Sequence, residues 1–125
     1  MICIRVTEGD EGVEIAALGH AGYGPRGQDI VCAGVSALLY GLITYLTGNS
    51  PIATAEDPHS WGLGSRTEVR ESDGELWVRT HGAYGRVGAA LEMTLAGLSL
   101  IAQGYPAYVT LDTETYRKGD EYEPN

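Results

Sequence analysis

The chain has 125 residues, 43% of them hydrophobic and 20% charged, the make-up of one globular domain large enough to bury a core of its own. Eight Lys and Arg against 17 Asp and Glu leave a formal charge of -9, which repels a phosphate backbone and excludes a nucleic-acid reader. Two cysteines are too few for a disulfide framework, and the sequence carries no pattern of an export signal or membrane span, so both thiols are expected to be reduced, in a cytoplasmic setting.

In chain order, residues 2–7 (ICIRVT) and 13–18 (VEIAAL) alternate apolar and polar side chains around the turn-like EGDEG. That is the pattern of a hairpin with one covered face, formed by Ile2, Ile4, Val6, Ile15 and Ala17. Residues 19–28 hold four glycines and a proline and read as a mobile loop. Asp29 is placed to cap a helix, and Ile30, Val31, Val35, Leu38, Leu39, Leu42, Ile43 and Leu46 follow at helical spacing until Gly48-Asn49-Ser50-Pro51 stops the run.

The segment 50–60 reads as loop, and 63–71 with 75–81 (ELWVRTH) as a second hairpin about Ser72-Asp73-Gly74. A second helix over 85–102 places Val87, Leu91, Leu95, Leu98 and Ile101 on one stripe, with Ala90, Met93 and Leu100 beside it. Such a helix, apolar around much of its circumference, is either deeply buried in its own chain or covered by a second copy. Residues 107–111 form a last strand, and 112–125 a charged, acidic tail. The order ββαββαβ predicts an α+β two-layer sandwich, a mostly antiparallel sheet with two helices packed on one face, as a single domain over 1–111.

The stretch GHAGYGPRGQDIVCAG contains G-x-G-x-x-G at Gly22, Gly24 and Gly27. A dinucleotide site needs that motif inside a parallel strand–helix–strand unit, with an acidic residue about 20 positions on. Here a hairpin precedes it, Pro25 interrupts it, and twenty residues later the chain is still in the helix, at Thr47. The glycines therefore read as loop rather than phosphate cradle.

Cys32 lies three residues past Asp29, in the first helical turn, where unpaired N–H groups and the helix dipole favour a negative sulfur, the nucleophilic form. His20 ends the preceding strand, and movement of residues 21–28 can bring its imidazole to the thiol, with first-turn amides as oxyanion donors. The plainer reading of the same spacing is a small buried thiol and a surface histidine. Asp29 is by default a cap whose carboxylate opposes a thiolate, and Ser36 a helix hydroxyl bonding a backbone carbonyl.

Other candidates carry less. Cys3 falls on the polar side of its strand opposite Leu18, and a Cys3–His20–Cys32 zinc site lacks a fourth ligand and C-x-x-C spacing. His59 and His81 read as lone surface groups, and Trp61 and Trp77 as covers for the sheet or a dimer contact.

The run GHAGYGPRGQDIVCAGVSALLYG resembles the signature of the ribosomal-processing cysteine protease family, Prp, with its G-H-A start, glycine-bearing loop and D-I-V-C-A-x-x-S-A. LAGLSLIAQGYPAYVTL at 95–111 is similar to the closing helix and strand of that family. The resemblance implies a homodimeric cysteine endopeptidase, with Cys32 as nucleophile and His20 as general base. Asp29 and Ser36 match supporting positions, and Gly22, Gly24 and Gly27 belong to the loop that orders over substrate. It implies no metal and no cofactor. The implied partner is a precursor protein with a cleavable N-terminal extension, a large-subunit ribosomal protein or, in related phage systems, a capsid or scaffold protein. A noncatalytic peptide-binding or assembly module of the same fold is the alternative.

Overall fold

The structure, a computed structural model, describes residues 1–10, 12–49, 67–81 and 85–115. Among the described residues there are seven elements: β1 (Ile2–Gly9), β2 (Gly12–Leu18), α1 (Ile30–Leu46), β3 (Thr67–Ser72), β4 (Glu75–His81), α2 (Gly85–Gly104) and β5 (Val109–Thr115). The strands form one sheet in the order β3-β4-β2-β1-β5. The two hairpins, β1–β2 and β3–β4, and the β2–β4 pairing that joins them are antiparallel, and β5 lies parallel to β1. The α+β sandwich read from the sequence is thus the fold, with a mixed sheet.

Register explains why one face is covered. Ile4, Ala17 and Leu76 line up across the sheet through the pairs Ile4↔Ala17 and Ala17↔Leu76, Val6, Ile15 and Val78 form a second row, and Ile2 pairs with Val109 at the end of β1. All eight are buried. The core is completed by Val31, Val35, Leu39, Leu42 and Leu46 of α1 and by Val87, Leu91 and Leu98 of α2. Burying a side chain of this size stabilises the fold by about 1.5–3 kcal/mol, so this stripe is what holds both helices on the sheet.

The helices interlock. A Cβ on Gly97 of α2 would meet both Leu38 methyl carbons at 2.9 Å, and one on Gly34 of α1 would meet Ile101 Cδ1 at 3.2 Å. Each helix therefore offers a notch that receives a side chain of the other. At the far end of α1, the Gly48 and Asn49 N–H groups return to the Tyr45 and Thr44 carbonyls, a Schellman termination that satisfies the last turn.

Several expectations change. The final strand runs to Thr115, so residues 112–115, read as the start of the tail, pair with Arg5 to Glu8. As an edge strand whose last four residues are exposed, it has no apolar alternation to announce it. Residues 116–125, the expected loop 50–60 with His59, and Trp61 lie outside the described residues. Met93 and Leu100 are 77% and 70% exposed, so that side of α2 is not buried within its own chain. The length and apolarity of α2 would suffice to cross a membrane, but its opposite side is built into the core with α1.

Candidate active site

His20 and Cys32 both line a cavity of about 250 Å³ and a second of about 550 Å³. The first is a cleft between α1 and the β3–β4 turn. Cys32, Ser36 and Tyr40, spaced four apart along one side of α1, form one wall, and Ser72 to Leu76 form the other. The second lies under the glycine loop, where Gly22, Gly24, Arg26 and Gly27 face Asp29, Cys32 and Ser36. Cys32 is half-buried and free. Among the described residues no hydrogen bond joins its thiol to the His20 ring, although the two share both spaces.

The position of His20 follows from sheet register. The pair Leu18↔Glu75 carries β2 alongside the two-residue turn Asp73-Gly74, and the Gly19 N–H donates to the Gly74 carbonyl at 2.7 Å. The imidazole is 62% exposed and has its Nε2 3.8 Å from Asp73 Oδ1. Gly74 has φ +73°, and a Cβ there would sit 3.2 Å from His20 Nε2. The turn is a wall for the ring, and its positive φ favours a glycine at the closest point.

Asp29 organises the other side. One carboxylate oxygen accepts from the Cys32 N–H at 2.9 Å, capping α1, and the other accepts from the Tyr23 N–H at 2.9 Å and the Gly24 N–H at 3.3 Å. The Cys32 bond first, then those of Gly24, Tyr23 and Val31, hold this carboxyl below the usual carboxylate range, against an opposing effect of desolvation. Of the first-turn amides, that of Cys32 is therefore committed to Asp29. The competing acceptor is built into the sequence at i-3 and wins because it is the helix cap.

Ser36 departs only from its default reading as a helix hydroxyl: it is exposed toward both cavities, and among the described residues its hydroxyl bonds no backbone carbonyl, whereas Thr44 and Thr94 each bond the carbonyl four residues back. His81, read as a lone group, has its Nε2 3.2 Å from Glu68 Oε1, since the antiparallel β3–β4 register places them diagonally. Cys3 does oppose Leu18, on the sheet face away from the helices. Trp77 stays on that face, covered by the Arg70 guanidinium 4.7 Å from its ring centre.

Three contributors were not read from the sequence as parts of the site. The Asp73-Gly74 turn was legible as a turn but not as the neighbour of His20. Tyr40 donates to Glu71 across the cleft mouth, and this bond raises the Tyr40 hydroxyl above its ordinary value. Tyr23, inside the glycine loop, meets Tyr105 and Tyr108 from the far end of the chain.

Residues 1–110 match the family model described as cysteine protease Prp. The ribosomal processing cysteine protease Prp of Mycoplasma pneumoniae is 29% identical over 101 residues, 81% of this chain and 87% of that protein. The Prp of Staphylococcus aureus strain Mu50 is 44% identical over 50 residues, 38% of this chain, and the matched stretch spans about half, 47%, of that relative's length. The crystal structure of the S. aureus ribosomal processing protease Prp with a covalently linked product peptide superposes with a TM-score of 0.70 at 28% identity, covering 90% of this chain and 99% of that one. With a substrate peptide the TM-score is 0.66 at 27% identity, over the same 90% and 99%. A match over nearly the whole of the described fold, including both helices and the loop between His20 and Cys32, places the chain in the cysteine protease Prp family.

Proposed function

We propose that this chain is a cysteine endopeptidase that removes a short N-terminal segment from a precursor protein, with Cys32 as nucleophile and His20 as general base. The observation that carries this reading is that the two side chains, twelve positions apart, one in the loop just past β2 and the other in α1, open into the same two cavities at the start of α1. A segment of substrate laid in the cleft brings its scissile carbonyl to the sulfur. His20 takes the thiol proton as sulfur attacks the carbonyl carbon, and returns it to the amine as the C–N bond breaks. Water then attacks the thioester carbon, His20 accepts a water proton, and the C–S bond breaks to release the acid and restore the thiol. Asp29 holds the helix cap and two loop amides together, and Ser36 lines the wall beside the sulfur.

The substrate class that fits is a ribosomal precursor, because the relatives that share this fold are ribosomal processing proteases; a capsid or scaffold precursor of a phage is the second member of the same class. Reduced thiols and such a substrate fit a cytoplasmic setting. We also propose a homodimer. The exposed Met93 and the apolar groove of about 460 Å³ that it lines with Ala37, Leu38, Gly41, Tyr45 and Ala89 support it.

Incubating wild type, Cys32→Ala and His20→Ala with large-subunit ribosomal and capsid precursors, and reading the products by mass spectrometry, tests the reading. Wild type is expected to shorten one precursor at its N-terminal end, and both variants to leave it intact. Binding of that precursor without cleavage by any of the three would establish the noncatalytic module instead.

A further inference from the structure

The glycine loop is docked at its start by two side chains, Ala21 and Tyr23. Ala21 is buried in the core, and Tyr23 just after it meets Tyr105 with 5.5 Å and Tyr108 with 5.1 Å between ring centres, at 87° and 81°. These edge-to-face arrangements are the ones ring quadrupoles favour. The receiving tyrosines stand on a fixed base. The Tyr105 N–H donates to Ile101 at the end of α2, those of Tyr108 and Val109 return to the Tyr105 carbonyl, and the Tyr108 carbonyl accepts from Ile2 of β1. On the other side, the N–H groups of Tyr23 and Gly24 are held by Asp29, whose second oxygen caps Cys32. A single residue thus links the turn between α2 and β5 to the cap of the helix that carries the thiol. Immediately beyond it, Gly24, Arg26 and Gly27 wall the larger cavity over His20 and Cys32.

We infer that Tyr105 and Tyr108 are positioning residues: through the Tyr23 ring they hold the first part of the glycine loop, residues 21–24, beside the Cys32 cavity before substrate arrives, which leaves only 25–28 to order over it. The inference rests on reading that cavity as the substrate site. Fixing a glycine-rich segment costs more conformational freedom than fixing any other kind of chain. Two ring contacts meet that cost in advance, so binding does not have to, and the benefit falls on KM rather than on the bond-making step.

The test compares the full chain with Tyr23→Leu, Tyr23→Phe and the double variant Tyr105→Leu/Tyr108→Leu, by amide hydrogen exchange without substrate and by steady-state cleavage of the precursor. The reporters are the Tyr23 and Gly24 amides. In Tyr23→Leu and in the double variant they are expected to exchange roughly tenfold faster, the factor that two such ring contacts represent together, with β1 and the middle of α1 unchanged. KM should rise by a similar factor with kcat retained, and Tyr23→Phe, which keeps the ring, should match wild type in both. Unchanged exchange in Tyr23→Leu, or exchange in Tyr23→Phe as fast as in Tyr23→Leu, overturns the inference. If the double variant does not fold, Tyr23→Leu, a change in an exposed loop, carries the test alone. Faster exchange in a chain that cleaves nothing would uphold the anchor and reject the protease, and unchanged exchange in an active protease would do the reverse.

Discussion

Replacing Gly74 by alanine distinguishes backbone strain from the placement of His20. At φ +73° any residue with a Cβ is strained by about 1–3 kcal/mol, and alanine recovers about 0.4–1 kcal/mol by restricting the unfolded chain, so a net loss of about 1 kcal/mol is expected. For a chain of 125 residues the unfolding entropy near the midpoint is about 260 cal/mol/K, which makes that loss a drop in Tm of about 4 °C. Gly85 has φ +55°, and a Cβ there meets nothing within 4 Å, so Gly85→Ala should melt earlier by a similar amount without touching the site. The two variants should differ in activity. The new methyl in Gly74→Ala starts 3.2 Å from His20 Nε2, closer than an ordinary contact, so the ring must yield by a few tenths of an ångström. A misplacement of about 1 Å in catalytic geometry costs about a hundredfold, and this smaller shift should lower kcat/KM about tenfold. Thermal melts together with cleavage of the precursor measure both effects. If Gly74→Ala melts like Gly85→Ala and cleaves as well as Gly85→Ala, the turn does not place the imidazole and the reasoning fails.

Two further outcomes follow from the described contacts. Because the folded-state value of the Asp29 carboxyl is lowered, its contribution to stability is fully present above the unfolded carboxylate value and is lost as pH falls through the lower folded value. The difference in Tm between wild type and Asp29→Asn is therefore expected to shrink on acidification below about pH 4, and a difference that stays constant to pH 2 would contradict it. For the proposed dimer, Met93→Asp removes the burial of one methionine per subunit, worth about 1.5–3 kcal/mol, and should weaken association at least about tenfold in sedimentation equilibrium. A wild-type chain that sediments as a monomer would end that proposal.

The elements were legible because their patterns are local. Two-residue alternation marked β1 and β2, helical spacing with the Asp29 cap marked α1, and Asp73-Gly74 marked the turn between β3 and β4. What stayed hidden depends on which strands become neighbours. His20 and Gly74 meet because β2 pairs with β4, and Tyr23 meets Tyr105 and Tyr108 because β5 returns beside β1. Neither pairing has a residue pattern of its own. The last residues of β5 looked like tail for a related reason: an exposed edge strand has no buried face to impose alternation, so Asp112, Thr113, Glu114 and Thr115 read as polar chain although they hydrogen-bond as sheet. Which of the first-turn amides the cap takes was not legible either, because the cap and the oxyanion role draw on the same N–H groups; in the structure the Cys32 amide goes to Asp29.

The reciprocal notches at Gly34 and Gly97 set more than the distance between the helices. Gly34 is two residues from Cys32, and Ile101 is seated against it, so that a slide or roll of α1 presses this methyl group toward backbone. The depth of the sulfur relative to the imidazole is thereby fixed from the rear of the molecule, by packing that substrate never touches. An enlargement at either notch, remote from any substrate atom, would then miss its mark as a change to the core alone and be felt as a thiol at the wrong height.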